Sequence, residues 1–185
     1  METQHPEPPT MSFFSRIFSQ DNPNEVMQPL YQAIVAEGRR LAWYEQGEVP
    51  DSIDGRFDMI AAIFSLVVIR LEDEREQAQN LAWLTEIFIR DMDGQIRQIG
   101  ISDVVVGKHV GRMMGALGGR MGAYREALQG KEDLNEALIR NLYRGNSPGQ
   151  SAVEFVATKI RLFETQLAEL SSADIISGQL PVAAS

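Results

Sequence analysis

Side chains that could carry out catalysis are scarce in this sequence. It has no cysteine, and because His5 lies in the polar N-terminal segment, His109 is the single imidazole in the predicted folded region. That excludes a two-histidine metal site and a cysteine nucleophile, and the serines lack a plausible histidine partner in a nucleophile motif. Asp91-Met-Asp93-Gly94 has the start of a calcium loop, but the later oxygen ligands and the closing glutamate are missing. We therefore expect no enzyme activity, no metal site and no cofactor.

The most distinctive stretch combines glycine with positive charge. Residues 104–125 contain six glycines and four cations but no acidic side chain. At roughly 100° per helical residue, the glycines fall within an arc of about 120°. Because a glycine costs a helix roughly 1 kcal/mol relative to alanine, we expect another helix to pack closely on this bare face. That helix belongs either to the same protein or to a partner. The glycines are Gly107, Gly111, Gly115, Gly118, Gly119 and Gly122, and the cations are Lys108, Arg112, Arg120 and Arg125.

The basic stretch belongs to an acidic protein, with a formal net charge of -9. This total argues against a general nucleic-acid binder, although a local patch of Lys108, Arg112 and Arg120 can contact RNA phosphate, anionic lipid or acidic loops. Methionines 113, 114 and 121 next to bare backbone suggest either an adaptable binding surface or plain core.

The chain is predicted to be all-α, a single compact domain of about six to seven helices over residues 23–173. Apolar residues recur at helical spacing, and there is no strand pattern. The segment Met59–Ile69 is apolar almost all round and predicts a buried central helix that is too short to span a bilayer. Ser147-Pro148 predicts a serine cap for the last helix, and residues 174–185 are expected to fray. Other predicted helices cover about 24–44, divided by Pro29 and Gly38, then 77–98, 102–125 and 131–144.

Residues 1–22 are predicted to form a flexible leader. They lack the pattern of a secretory signal or a mitochondrial presequence, and Met1 and Met11 are both possible starts. Within residues 11–19, four apolar side chains and one cation cluster at helical spacing, so the segment is either a short interfacial membrane anchor or a tail that folds back on the core. The membrane-contact candidates are Phe13, Phe14, Arg16, Ile17 and Phe18. With no cysteine to form disulfides, we expect an intracellular protein.

The order of several motifs resembles the ubiquinol-cytochrome c reductase chaperone family. The resemblance covers residues 25 to 145, and its most specific part is the run from Asp91 to Lys108. One departure is Leu117-Gly118, where the family pattern has an aromatic pair before Gly119-Arg120. The motifs are Leu30-Tyr-x-Ala-Ile-Val35, Arg39-Arg40, Val49-Pro-Asp51, Asp54-Gly-Arg-Phe57, Asp91-Met-Asp93-x-x-Ile96-Arg97-x-x-Gly100-x-x-Asp103-x-x-Val106-Gly107-Lys108, Met113, Gly119-Arg120 and Ala123-Tyr124.

The resemblance implies a non-enzymatic assembly factor that binds newly made cytochrome b, partly at the ribosome and partly at the inner membrane. It also implies a cytoplasmic protein that is peripheral at the inner membrane, on the matrix side if the protein is mitochondrial. It leaves open whether a second chaperone subunit takes part. Two alternatives remain from the residues: a helical carrier of haem, ligated by His109, or of another small molecule, and a structural adaptor that recognises no nascent chain. Salt bridges among the charged residues near Gly100 are expected to present the glycine-rich helix, the alternative being a solvated polar face. The partner-binding candidates are Asp91, Asp93, Arg97, Asp103, Gly107, Lys108, Gly111, Arg112, Gly115, Gly119 and Arg120.

Overall fold

A computed structural model describes residues 23–98 and 103–183, with side chains described for all of these except 93 and 95–114. Within these ranges the chain is helical and has no strand, as predicted. After a 3-10 turn at Pro23–Met27, the α-helices are α1 (Gln28–Gly38), α2 (Leu41–Glu45), α3 (Ile53–Leu71), α4 (Ala78–Gln98), α5 (Asp103–Leu128), α6 (Leu134–Asn141), α7 (Gln150–Glu169) and α8 (Ser172–Ile176), with a second 3-10 turn at Arg75–Gln77.

Helix α3 is the buried centre of the molecule, which confirms the prediction from its apolar composition. It contacts α1, α4, α5 and α7, and its residues 58–68 are all buried. The Oγ of Ser52 accepts a hydrogen bond from the amide of Gly55 at 3.1 Å, so the first turn is capped. Asp54 near the start and Arg70 near the end also complement the helix dipole. No helix in the described ranges has both the length and the apolar character needed to cross a bilayer.

The predicted division of the first helical run is confirmed. Pro29 lies in the first turn of α1, where its missing amide leaves no hydrogen bond unmade, and α1 ends at Gly38. Gly38 faces the middle of α3 so closely that a Cβ there would lie 3.0 Å from the Cα of Ile60. The chain then turns into the short α2 before α3 begins.

The prediction for the start of the last long helix is wrong. Helix α7 begins at Gln150, three residues after Ser147, and its N-cap is Gly149 without a side-chain cap. Gly149 has a φ of 139°, a conformation that glycine adopts and other residues avoid, so helix geometry cannot begin before it.

The expected fraying of residues 174–185 is also wrong for the part described, up to residue 183. The Oγ of Ser171 accepts from the amide of Asp174 at 3.2 Å and caps α8, whose Ile175 is buried. The amide of Ala183 then donates to Oε1 of the buried Glu37 at 3.2 Å. These contacts attach the described part of the C-terminal segment to α1.

Candidate functional site

The second half of α5 presents its glycines outward. Gly115, Gly118 and Gly119 are exposed, Gly122 is half-buried, and a Cβ built on any of the four would meet no described atom within 4 Å apart from the neighbouring backbone of α5 itself. At about 100° per residue, these four positions span about 100° of the helix surface, opposite the buried Tyr124. We call Gly115, Gly118, Gly119 and Gly122 the glycine face. Packing of an internal helix on these glycines, one of the two explanations from the sequence, is therefore wrong for the described part of the protein.

The opposite side of α5 is fixed in the core. The buried residues here are Leu117, Ala123, Tyr124 and Ala127. Met121 is partly buried and packs against the core, which confirms the interpretation of this methionine as a packing residue. The Tyr124 hydroxyl has no hydrogen-bond partner among the described residues, and burial raises its pKa. The tyrosine therefore acts here as a large apolar side chain that holds the helix down.

Arg120 is not the exposed cation that the sequence analysis predicted. Its side chain is 13% exposed, and its Nη2 donates to Oδ1 of the fully buried Asp58 at 2.5 Å. Its Nε donates weakly to the carbonyl of Asn141 at 3.4 Å, and its guanidinium lies 5.3 Å from the centre of the Phe57 ring. The reason for the difference is the carboxylate on α3, 62 residues away in sequence, which draws the guanidinium inward.

A second arginine completes this ion-pair cluster. The Nε of Arg144 donates to Oδ2 of Asp58 at 2.5 Å, and its Nη1 donates to Asp54 at 2.6 Å. Arg144 has a φ of 53°, unusual for a residue with a side chain, at the turn that follows α6. The cluster of Asp54, Asp58, Arg120 and Arg144 thus joins α3, α5 and the end of α6.

Burial dominates the electrostatics of Asp58. Loss of water around the carboxyl group raises its pKa, while the hydrogen bond from Arg144 and the charges of Arg120 and Arg144 oppose that rise. A buried carboxylate gains little net stability from such pairing, yet it becomes costly once a partner is removed. The role of the cluster is therefore structural, because it holds α5 at a defined place on α3. Arg125 adds a more exposed link, because its Nε and Nη2 donate to the two carboxylate oxygens of Glu72 at 2.8 and 2.7 Å.

Among the acidic partner-binding candidates near residue 100, Asp91 is the one whose side chain the structure describes. Its Oδ2 accepts from the hydroxyl of Tyr31 on α1 at 2.6 Å, so it links α4 to α1. Helix α5 is described from Asp103, within one residue of the predicted start at about 102. The other predictions here lie outside the described side chains: those for Asp93, Arg97, Asp103, Gly107, Lys108, His109, Gly111, Arg112, Met113 and Met114, and those for the leader residues Phe13, Phe14, Arg16, Ile17 and Phe18.

The structure brings together two motifs that are far apart in sequence. Phe57 of Asp54-Gly-Arg-Phe57 lies beside Arg120 of Gly119-Arg120, and Asp54 joins the same cluster. Sequence analysis missed Asp58 and Arg144. A charged residue directly before the apolar run at Met59 was the available signal for Asp58, because a buried acid requires a partner. Nothing in the sequence identified Arg144 as that partner. Among the described residues, no group of three or more His, Asp or Glu is placed to hold a metal ion.

Comparisons with known proteins agree with this architecture. The model of the ubiquinol-cytochrome C chaperone family matches residues 45–183. The crystal structure of the Cbp3 homolog from Brucella abortus is similar to this chain with a TM-score of 0.76 and 25% sequence identity, over 91% of this chain and 96% of that one. No curated protein sequence gives a match.

Proposed function

Since this chain belongs to the ubiquinol-cytochrome C chaperone family, we propose that it is a non-enzymatic assembly chaperone. Its client is newly made cytochrome b, and it supports assembly of ubiquinol-cytochrome c reductase at the cytoplasmic face of the inner membrane. The family membership supports the chaperone role, and the likeness to the Cbp3 homolog supports the same fold. The identity of the client and the place where the protein acts go beyond the family membership, and both are part of this proposal.

The glycine face is the surface at which we propose that the client binds, and it is the main observation behind the proposal. A chaperone for a protein with several membrane helices must cover an apolar helix without entering the bilayer itself. Membrane helices associate through small residues that let two backbones approach closely. Gly115, Gly118 and Gly119 provide such a surface, because no described residue of the protein occupies it.

Rigid support makes this face useful for binding. Ion pairs from α3 and the turn after α6 hold Arg120, and Tyr124, one turn further along α5, is buried in the core. Both side chains lie on the side of α5 away from the glycine face. A client helix therefore meets a backbone surface that needs little ordering on association, which lowers the entropic cost of binding.

A photo-crosslinking experiment tests this contact. A photoreactive phenylalanine analogue in place of Ala116, an exposed residue beside the glycine face, should form an adduct with cytochrome b translated in the presence of the chaperone. The matched control carries the same analogue in place of Ala36, an exposed residue of α1. Adducts at equal yield from both positions, or from the α1 position alone, would contradict the proposed surface.

The basic start of α5 leads to a second proposal on partners. We propose that Lys108 and Arg112 contact an anionic surface, either the ribosome or the membrane, and that the leader segment 11–19 contributes a weak apolar attachment. The double variant Lys108→Glu/Arg112→Glu should sediment less with ribosomes or anionic vesicles, and the wild-type association should weaken with added salt. Reversal of the exposed pair Lys131 and Arg161 is the control. Association that ignores both salt and the first reversal would contradict this proposal.

A further inference from the structure

A half-open pocket of about 240 Å³ lies where α1 ends and α2 and α3 begin, and no residue of α5 lines it. We call it the Arg39 pocket. Three of the sequence motifs meet there, because it takes one residue from Arg39-Arg40, one from Val49-Pro-Asp51 and one from Asp54-Gly-Arg-Phe57. None of its lining residues belongs to the ion-pair cluster. The pocket is lined by Arg39, Leu41, Tyr44, Asp51 and Arg56.

The charge in this pocket is positive but small. Arg39 is exposed and makes no ion pair with any described residue, whereas Arg56 donates to Oδ1 of Asp51 at 2.6 Å. The side chains of Arg56 and Asp51 are 57% and 59% exposed, and surface pairs of this kind contribute little. The pair can therefore rearrange when a ligand arrives. Two guanidinium groups and one carboxylate leave a net charge of about +1, on a protein that is acidic as a whole.

Apolar surface adjoins this charge. The side chain of Leu41 is 70% exposed, the largest exposed fraction of any bulky apolar side chain in the described ranges. Tyr44 is half-buried, and its hydroxyl donates to the carbonyl of Gly38 at 2.7 Å, which fixes the ring in place. Burial raises the pKa of Tyr44 to about 12, so the hydroxyl remains neutral at physiological pH. Arginine and tyrosine are two of the residue types that dominate protein interfaces. The exposed Leu41 beside them adds apolar surface that a partner can cover.

We propose that the Arg39 pocket binds an acidic segment of a partner protein, in which a carboxylate side chain stands next to an aliphatic one. The carboxylate pairs with Arg39 and Arg56, and the aliphatic side chain covers Leu41. The pocket is smaller than the roughly 300–1,000 Å³ of most small-molecule sites and suits one or two side chains. Asp51 disfavours a phosphate dianion, whereas a single carboxylate matches the small positive charge.

Fluorescence anisotropy of labelled, end-blocked peptides tests this proposal on the full chain. The probe peptide alternates glutamate with leucine, and two comparison peptides replace either the glutamates by glutamine or the leucines by serine. The variant Arg39→Gln/Leu41→Ser removes the free cation and the exposed leucine. Its matched control is Arg161→Gln/Leu162→Ser, an exposed cation and a leucine on α7 with 42% exposure.

We expect the glutamate-leucine peptide to bind the wild type and the α7 control equally, and the Arg39→Gln/Leu41→Ser variant about tenfold or more weakly. Both comparison peptides should also bind at least about tenfold more weakly to the wild type. Equal binding by the Arg39→Gln/Leu41→Ser variant, equal binding of the glutamine peptide, or no peptide binding at all would overturn the proposal. Binding of phosphatidylserine vesicles or inorganic phosphate that depends on Arg39, without peptide binding, would also overturn it in favour of a phosphate site. Cytochrome b capture by α5 is measured separately and does not affect this outcome.

Discussion

Two sets of glycines lie in opposite surroundings in this molecule. At the junctions of α1, α2 and α3, a Cβ on Gly38, Gly47 or Gly55 would lie 3.0, 2.6 or 2.0 Å from its nearest neighbour. Along the second half of α5, a Cβ on Gly115 or Gly118 would meet nothing within 4 Å in the described chain. The first set is required for internal packing, and the second set is not.

The glycines of α5 therefore lower the stability of this helix without improving the packing inside the protein. Each glycine inside a helix lowers its stability by roughly 0.5–1 kcal/mol relative to alanine. At Gly38 that cost accompanies close packing on Ile60, whereas at Gly118 no described contact offsets it. A surface that lowers helix stability and faces outward is most simply explained by close approach of a partner.

The anchored side of α5 gives the largest predicted effect. Asp58→Ala should lower the free energy of unfolding by about 3–5 kcal/mol, because it leaves Arg120 and Arg144 without their shared buried carboxylate. Chemical denaturation measures this change. The control Asp54→Ala removes an exposed partner of Arg144 and should cost about 1 kcal/mol or less. Equal effects of the two substitutions would contradict the assignment of Asp58 as the anchor.

The packed glycine set is tested at Gly55. The carbonyl oxygen of Pro50 would lie 2.0 Å from a Cβ, and backbone atoms cannot yield as a flexible side chain can. Gly55→Ala should therefore destabilise the fold by about 3 kcal/mol, the upper end for overpacking. A melting temperature unchanged from the wild type would show that the turn before α3 yields easily, and the contrast between the two sets would fail.

Substitution of Gly178, in the C-terminal segment, is expected to have an intermediate effect on stability. Gly178 has a φ of 91°, and a Cβ there would lie 2.8 Å from the carbonyl oxygen of Pro29. Gly178→Ala should destabilise by about 1–2 kcal/mol, through backbone strain and loss of contact with α1. Limited proteolysis of residues after α7 should accelerate in this variant. If cleavage is equally fast in the wild type, the segment is not packed in solution.

The smallest effect has the opposite sign. Gly118→Ala should raise the free energy of unfolding by roughly 0.5–1 kcal/mol, because alanine favours the helix and its methyl group meets no described atom. Thermal denaturation of this variant and of Gly119→Ala measures the change. Destabilisation by either substitution would show that the glycine face is covered from within the protein.

Several elements were predictable because a local pattern determines them. The apolar run of α3 predicts its burial, and Pro29 and Gly38 divide the helix where the structure divides it. The cap of α7 was misjudged because a φ of 139° at Gly149 has no signal beyond the glycine itself. The C-terminal segment has small, mostly uncharged side chains and was expected to fray, yet its attachment depends on Glu37, a buried acid far away in sequence.

The candidate site was predictable in part. Helical periodicity placed the glycines on one face, but it could not tell whether that face is turned inward or outward, because the same residue type serves both uses. Helical periodicity also placed Arg120 among the exposed cations. It could not show the pairing with Asp58, because that pairing spans 62 residues and depends on how α3 and α5 pack. Such long-range contacts are set by tertiary structure, and a local pattern does not contain them.

The most direct test of the central claim measures cytochrome b capture by a graded series at Gly118. Gly118→Ala and Gly118→Leu, with Ala36→Leu as a control for added surface leucine, are compared by co-purification of the newly translated client and by melting temperature. We expect that capture falls stepwise from glycine to alanine to leucine, that both variants melt at or above the wild-type temperature, and that the control captures normally. Undiminished capture by a folded Gly118→Leu variant would contradict it.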